Sequence, residues 1–198
     1  ASSMGALNLA LLELAANRCD MVVSGGVDTI NDIFMHMCFS RTRILSPSGE
    51  IRPFSAEADG TLLGEGIGMV VLKRLDDAER DGDRIYTDIR GIGTSSDGRS
   101  QSIYAPRAEG QVKALAEAYE SADIHPATVE LVEAHGTGTR VGDQVEVAAL
   151  KRVFQEDGKS DSGKGAACAL GSIKSQIGHT KAAAGSAGLA KVALALYH

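Results

Sequence analysis

The stretch VELVEAHGTGT, residues 129–139, decides the fold. An apolar run of strand length ends in an imidazole and two Gly-Thr pairs, and beyond Gly142 the residues Val145, Ala149 and Val153 recur at helical spacing. Strand, small polar turn and helix in that order predict an α/β chain, and the same alternation continues on both sides. Upstream, Met4, Leu7, Leu11 and Leu14 predict a helix that closes at Asn17-Arg18, followed by a short buried strand over residues 21–24. IGMVVL (67–72) predicts a fully buried strand, and another is expected over residues 85–93. Val112, Leu115, Ala116 and Tyr119 form the apolar face of a further helix. Downstream, ACALGSI (167–173) predicts a strand and residues 180–197 an Ala-rich helix. LKRLDDAERDGD (72–83) and GKSDSGKG (158–165) read as exposed connections, and residues 31–64 as irregular.

With 198 residues and 43% hydrophobic content, the chain can bury one sizeable core. A formal net charge of −6 argues against nucleic acid or an anionic membrane as partner, because both require clustered Lys and Arg. No run approaches the ~20 apolar residues of a membrane span, and no charged leader precedes an apolar signal core, so a cytoplasmic location is expected. Cys19, Cys38 and Cys168 are widely spaced, with no CxxC pair, and are expected to be reduced, buried thiols; no metal site is expected. Both ends are expected to be cut, since the chain opens at Ala1 directly into an apolar helix and closes at His198 inside another.

Two glycine patterns carry no nucleotide chemistry. GEGIG (64–68) is followed by a strand where a dinucleotide fingerprint needs a helix. Residues 158–164 spell GxxxxGK, but Gly165 replaces the magnesium-holding Ser or Thr, and a strand again follows. The informative segments are HGTGT (135–139) and GSIKSQIGHTKAAAG (171–185). Glycines at 136 and 138 let a ligand approach the backbone, and the hydroxyls of Thr137 and Thr139 suit a linear polar ligand. A lone histidine at a strand end is commonly structural, and Lys174 alone would be an ordinary surface charge; the two motifs together change that reading.

HGTGT followed by GDxxE (Gly142, Asp143, Glu146), with SxKxxIGH and an Ala/Gly-rich helix further on, resembles the β-ketoacyl synthases of the thiolase superfamily. SGGVD, RPFSAEADG and LGEGIGMVVLKRL extend the resemblance over essentially the whole chain. GEGIGMVVLKRLDDAERDGDRIY, SSDGRSQSIYAPR and SIKSQIGHTKAAAGSAGLAKVALAL look most like ketosynthases of polyunsaturated fatty-acid synthases and modular polyketide synthases. The resemblance implies a thiolase-like layered αβαβα fold, incomplete at both ends. Residues 1–78 would be the remainder of the N-terminal half and residues 79–198 the first part of the C-terminal half.

The family's nucleophilic Cys immediately precedes small residues such as Ala1, Ser2 and Ser3, which places it outside this sequence; Cys19, Cys38 and Cys168 do not match it. Ser2 lacks the GxSxG turn of a serine hydrolase. The implied reaction is a decarboxylative Claisen condensation of an acyl thioester with malonyl-carrier protein, an acyltransferase activity that the 198 residues alone would not show. His135 and His179 would donate to the thioester oxygen as the enolate forms, which implies donor nitrogens within roughly 6–7 Å of each other. Lys174 would join them from behind, oriented by Glu146, and Ala1 would open into the same cavity. Thr137 and Thr139 would hold the phosphopantetheine arm of an acyl carrier protein. No bound cofactor is expected, and the full-length enzyme would be a homodimer. The alternative is a non-catalytic partner resembling chain-length factors, against which retention of His135, Lys174 and His179 argues. Thiolase-type acetyl transfer is disfavoured by the paired histidine motifs.

Overall fold

The computed structural model describes residues 2–98, 105–155 and 168–198. In chain order the elements are α1 (Ser2–Ala15), β1 (Met21–Asp28), α2 (Ile33–Arg41), β2 (Gly66–Lys73), α3 (Leu75–Asp81), α4 (Ala108–Ala122), β3 (Leu131–Glu133), α5 (Arg140–Gln155), β4 (Ala169–Gly171), α6 (Lys174–Ile177) and α7 (Ala184–Tyr197). They fall into two compact units: residues 1–51, 59–88 and 173–198 form the first, residues 52–58 and 89–172 the second.

In the first unit, β1 and β2 pair antiparallel in continuous register, from Met21 opposite Lys73 to Asp28 opposite Gly66. One face of this ribbon carries α1 and α7, and Leu7, Ala10, Leu14 and Ala183 are buried there. The contact is close because its residues are small. A Cβ on Gly26 would lie 2.6 Å from the Ala182 carbonyl oxygen and 2.8 Å from Ser3 Cβ, so only glycine fits. Ser186 N–H donates to the buried Ser3 Oγ at 3.2 Å, joining the first turns of α7 and α1. The other end of α1 is held by Arg74, which donates to the carbonyls of Leu14 (3.2 Å) and Cys19 (2.8 Å) while pairing with Asp20 and Asp77.

The second unit packs α4 against α5, with Ala149 wholly buried and Tyr119 edge-on to Phe154. Its strands β3 and β4 pair in parallel, Leu131 opposite Ala169 and Glu133 opposite Gly171.

Several expectations need correction. β2 is not fully buried: Ile67, Met69 and Val71 are exposed with Met21, Val23 and Val27, because period-2 alternation turns one side of the ribbon away from α1 and α7. Residues 31–64 are not wholly irregular, since Asp32 caps α2 by accepting from Met35 N–H at 2.8 Å. The acidic connection contains α3, which Gly82 stops in the left-handed conformation. Residues 85–93 form no strand ladder among the described residues; residues 91–93 lie along α4, with Ser121 Oγ near the Ile92 carbonyl oxygen at 3.4 Å. The cysteines are not buried: Cys38 is exposed, and Cys19 and Cys168 are partly so. The expected loop at 158–165 lies outside the described residues.

Candidate active site

The ladder of β3 continues one residue past the strand, where Ala134 N–H donates to the Gly171 carbonyl at 2.8 Å. His135 follows with its side chain exposed. Its main chain is clamped from both sides: its N–H donates to Glu146 Oε1 at 2.7 Å, and its carbonyl accepts from Ser172 Oγ at 3.3 Å. Gly136 is treated the same way, donating to Glu146 Oε2 at 2.8 Å and accepting from Ser172 Oγ at 3.2 Å. Gly136 has φ +44, and a Cβ there would sit 2.6 Å from Ser172 Cβ, so this turn requires glycine.

Asp143, one helical turn before Glu146, is 5% exposed and ties a second loop to the turn. Its Oδ1 accepts from Gly138 N–H at 3.2 Å and its Oδ2 from Phe54 N–H at 2.7 Å. GDxxE therefore presents two carboxylates from the N-terminal part of α5, where the helix dipole favours negative charge, and each receives main-chain N–H groups. The hydroxyls of Thr137 and Thr139 lie 2.9 Å apart. A cleft of about 530 Å³ in this unit is framed by Phe54, Ala58, Arg140, Asp143, Gln144 and Lys151, and neither threonine nor His135 lines it.

Lys174 and His179 belong to the first unit. Lys174 opens the single turn α6 and is only 3% exposed, far from the surface charge its residue type suggests. His179 is fixed by its backbone: its N–H donates to the Leu62 carbonyl at 2.7 Å, and its carbonyl accepts from Gly64 N–H at 3.1 Å. Its Nδ1 accepts the Lys181 N–H at 2.9 Å. An amide can only donate, so the neutral imidazole carries its proton on Nε2. The 3₁₀ turn Lys181–Ala183, which follows, packs on α1, bringing the helix that opens with Ser2 and Ser3 to the segment that carries His179.

The geometry thus gathers His135, Thr137, Thr139 and Glu146 in one unit, and Lys174, His179 and the first turn of α1 in the other. The sequence motifs include Asp143 and Ser172 but assign neither a role. Serine beside a strand end carries no distinguishing signal, whereas the i, i+3 acids of GDxxE are visible as a pattern though not their targets.

Residues 1–78 match the model for the beta-ketoacyl synthase N-terminal domain, and residues 86–198 that for the beta-ketoacyl synthase C-terminal domain. A polyunsaturated fatty acid synthase polypeptide of Thraustochytrium is 49% identical over the whole chain, which spans 7% of that relative's length. Among solved structures, the ketosynthase from module 6 of the Bacillus subtilis bacillaene synthase superposes with a TM-score of 0.90 at 44% identity, covering 98% of this chain and 34% of that one. A structure described as the PfaC keto synthase-chain length factor gives the same TM-score at 37% identity, with 98% and 20% covered. The fold is the thiolase-like α/β fold of the condensing enzymes. The chain belongs to the β-ketoacyl synthase family.

Proposed function

We propose that this chain is part of a ketosynthase that joins an acyl thioester to malonyl-carrier protein with loss of carbon dioxide, an acyl transfer within fatty-acid or polyketide assembly. The observation that carries this reading is the Lys181 N–H on His179 Nδ1, which puts the proton of the neutral ring on Nε2 and so makes that nitrogen a donor. Such a donor can stabilise the oxyanion that develops on the malonyl thioester as carbon dioxide leaves. Removing one donor of this kind typically costs ~10²–10³ in rate.

In this mechanism His135 supplies the second donor, its main chain held by Glu146 and Ser172. Lys174 supports them as a buried cation, and Glu146 lies behind His135. A cysteine directly before Ala1 is the nucleophile, at the N-terminus of α1, where the helix dipole favours a thiolate. Thr137 and Thr139 receive the phosphopantetheine arm of the carrier protein. Residues 1–78 belong to the N-terminal half of the domain and residues 79–198 to the C-terminal half. The full-length synthase works as a cytoplasmic homodimer, and the 198 residues alone neither condense nor accept an acyl group. Among the described residues no helix is long and apolar enough to cross a membrane.

The chain-length-factor alternative is weakened because Lys174 is buried, the His135 main chain is clamped and the His179 ring is fixed through Nδ1, features that an inert partner does not require. The test is to offer the full-length synthase malonyl-carrier and acetyl-CoA separately after acyl loading. Carbon dioxide release coupled to β-ketoacyl product supports the reading. Acetyl transfer without decarboxylation, or neither reaction, overturns it.

A further inference from the structure

Lys181 combines features that the reaction as described does not use. Its backbone has φ +45, the left-handed region that lysine seldom occupies. Its side chain is only 12% exposed and does not reach for solvent. The ammonium donates to Asn31 Oδ1 at 2.5 Å and the Gly64 carbonyl at 3.2 Å, and pairs with Asp28 Oδ1 at 3.0 Å. An ammonium has three N–H donors, so these three acceptors saturate it. The acceptors are themselves fixed: Asp28 Oδ2 takes the Ala182 N–H at 3.4 Å, and Asn31 N–H donates to Glu65 Oε1 at 2.7 Å. Gly64, in turn, donates to the His179 carbonyl. The side chain is therefore anchored to the end of β1 and to the segment that pairs with the His179 backbone, while the strained backbone directs its N–H to Nδ1.

We propose that Lys181 is a positioning residue for His179: its ammonium, seated on Asp28, Asn31 and the Gly64 carbonyl, holds residue 181 left-handed, so that its N–H fixes the Nε2–H tautomer and ring orientation. The consequence for catalysis rests on the reading of His179 as an oxyanion donor; the tautomer does not. Strain at residue 181 persists because the anchor over-determines it. A lysine without the anchor would relax to negative φ and withdraw its N–H.

The test uses the full-length synthase with Lys181→Met, Lys181→Arg and Asp28→Asn. Histidine ¹⁵N solid-state NMR, with His179→Ala identifying the signal, reads the tautomer directly; single-turnover assays read acylation and malonyl-carrier decarboxylation separately. In the wild type Nδ1 is unprotonated. Lys181→Met is expected to give mixed tautomers and to slow decarboxylation about tenfold, a fraction of the cost of losing the donor altogether, with acylation unchanged. Lys181→Arg is expected to restore both. Should Lys181→Met not fold, Asp28→Asn gives the same readouts through a weakened anchor. A shifted tautomer with unchanged decarboxylation upholds the positioning role and removes His179 from the oxyanion site. A wild-type tautomer with wild-type decarboxylation in Lys181→Met and Asp28→Asn overturns the proposal.

Discussion

Glu146 accepts the main-chain N–H groups of His135 and Gly136 with its two carboxylate oxygens, at 2.7 and 2.8 Å, from within helix α5. The carboxylate thus sets the path of the backbone that carries the exposed imidazole. Hydrogen bonds to a charged group contribute about 1.5–3 kcal/mol each. Glu146→Gln keeps one acceptor oxygen and should lower malonyl-carrier decarboxylation by about tenfold, and Glu146→Ala by about 100-fold, with acylation of the synthase little changed. Single-turnover release of carbon dioxide measures this, and an unaltered rate in Glu146→Ala would show that the turn holds without it.

The crossing of α1, β1 and the 181–183 turn leaves no room for a side chain at residue 26. Gly26→Ala should destabilise the fold by about 1–3 kcal/mol through overpacking. It should also slow acylation, since it pushes the first turn of α1 off Ala182. Urea unfolding and acylation kinetics check both effects; a variant as stable and as readily acylated as the wild type would contradict the packing described.

Asp28 gives the stability a pH dependence of definite sign. Burial alone would raise its pKa, but the hydrogen bond and charge of Lys181, with the N–H groups of Ala182 and Ile30, outweigh it and hold the carboxyl below its ordinary 3.8. A folded pKa below the unfolded one contributes stability that is present above the unfolded value and lost as pH falls through the folded one. The advantage of the wild type over Asp28→Asn, read as urea midpoints, should therefore be full at pH 6 and shrink below about pH 4. A gap that stays constant to pH 3 would mean that Asp28 is not ionised against Lys181.

Much of this was legible from residues alone, and the exceptions have physical causes. Helical spacing located α1, α4 and α5, and the strand-turn-helix order around residue 135 indicated the α/β class. The ribbon face of Ile67, Met69 and Val71 was misread because an unbroken apolar run looks the same whether it is covered on one side or two. Helix α2 was missed because its nearly continuous apolar run, broken only by His36, shows no helical period, leaving the Asp32 cap as its main signal. At the site, residue types pointed to His135, Lys174 and His179 through the motifs, but hydrogen bonds from the main chain have no sequence signature. The roles of Ser172 and Asp143, and of Glu146 as a clamp on backbone N–H groups, emerge only when the strand ends are brought against α5.

In the proposed mechanism His135 and His179 serve the decarboxylation of the malonyl thioester, while the helix dipole of α1 supports acyl loading. A comparison of both half-reactions in the full-length synthase carrying His135→Ala separates these two roles. Mass spectrometry follows the acyl-enzyme, and trapped carbon dioxide follows decarboxylation of malonyl-carrier. The acyl-enzyme is expected to form at close to the wild-type rate, with decarboxylation reduced by ~10²–10³. Equal loss of both half-reactions, or decarboxylation at the wild-type rate, would contradict it.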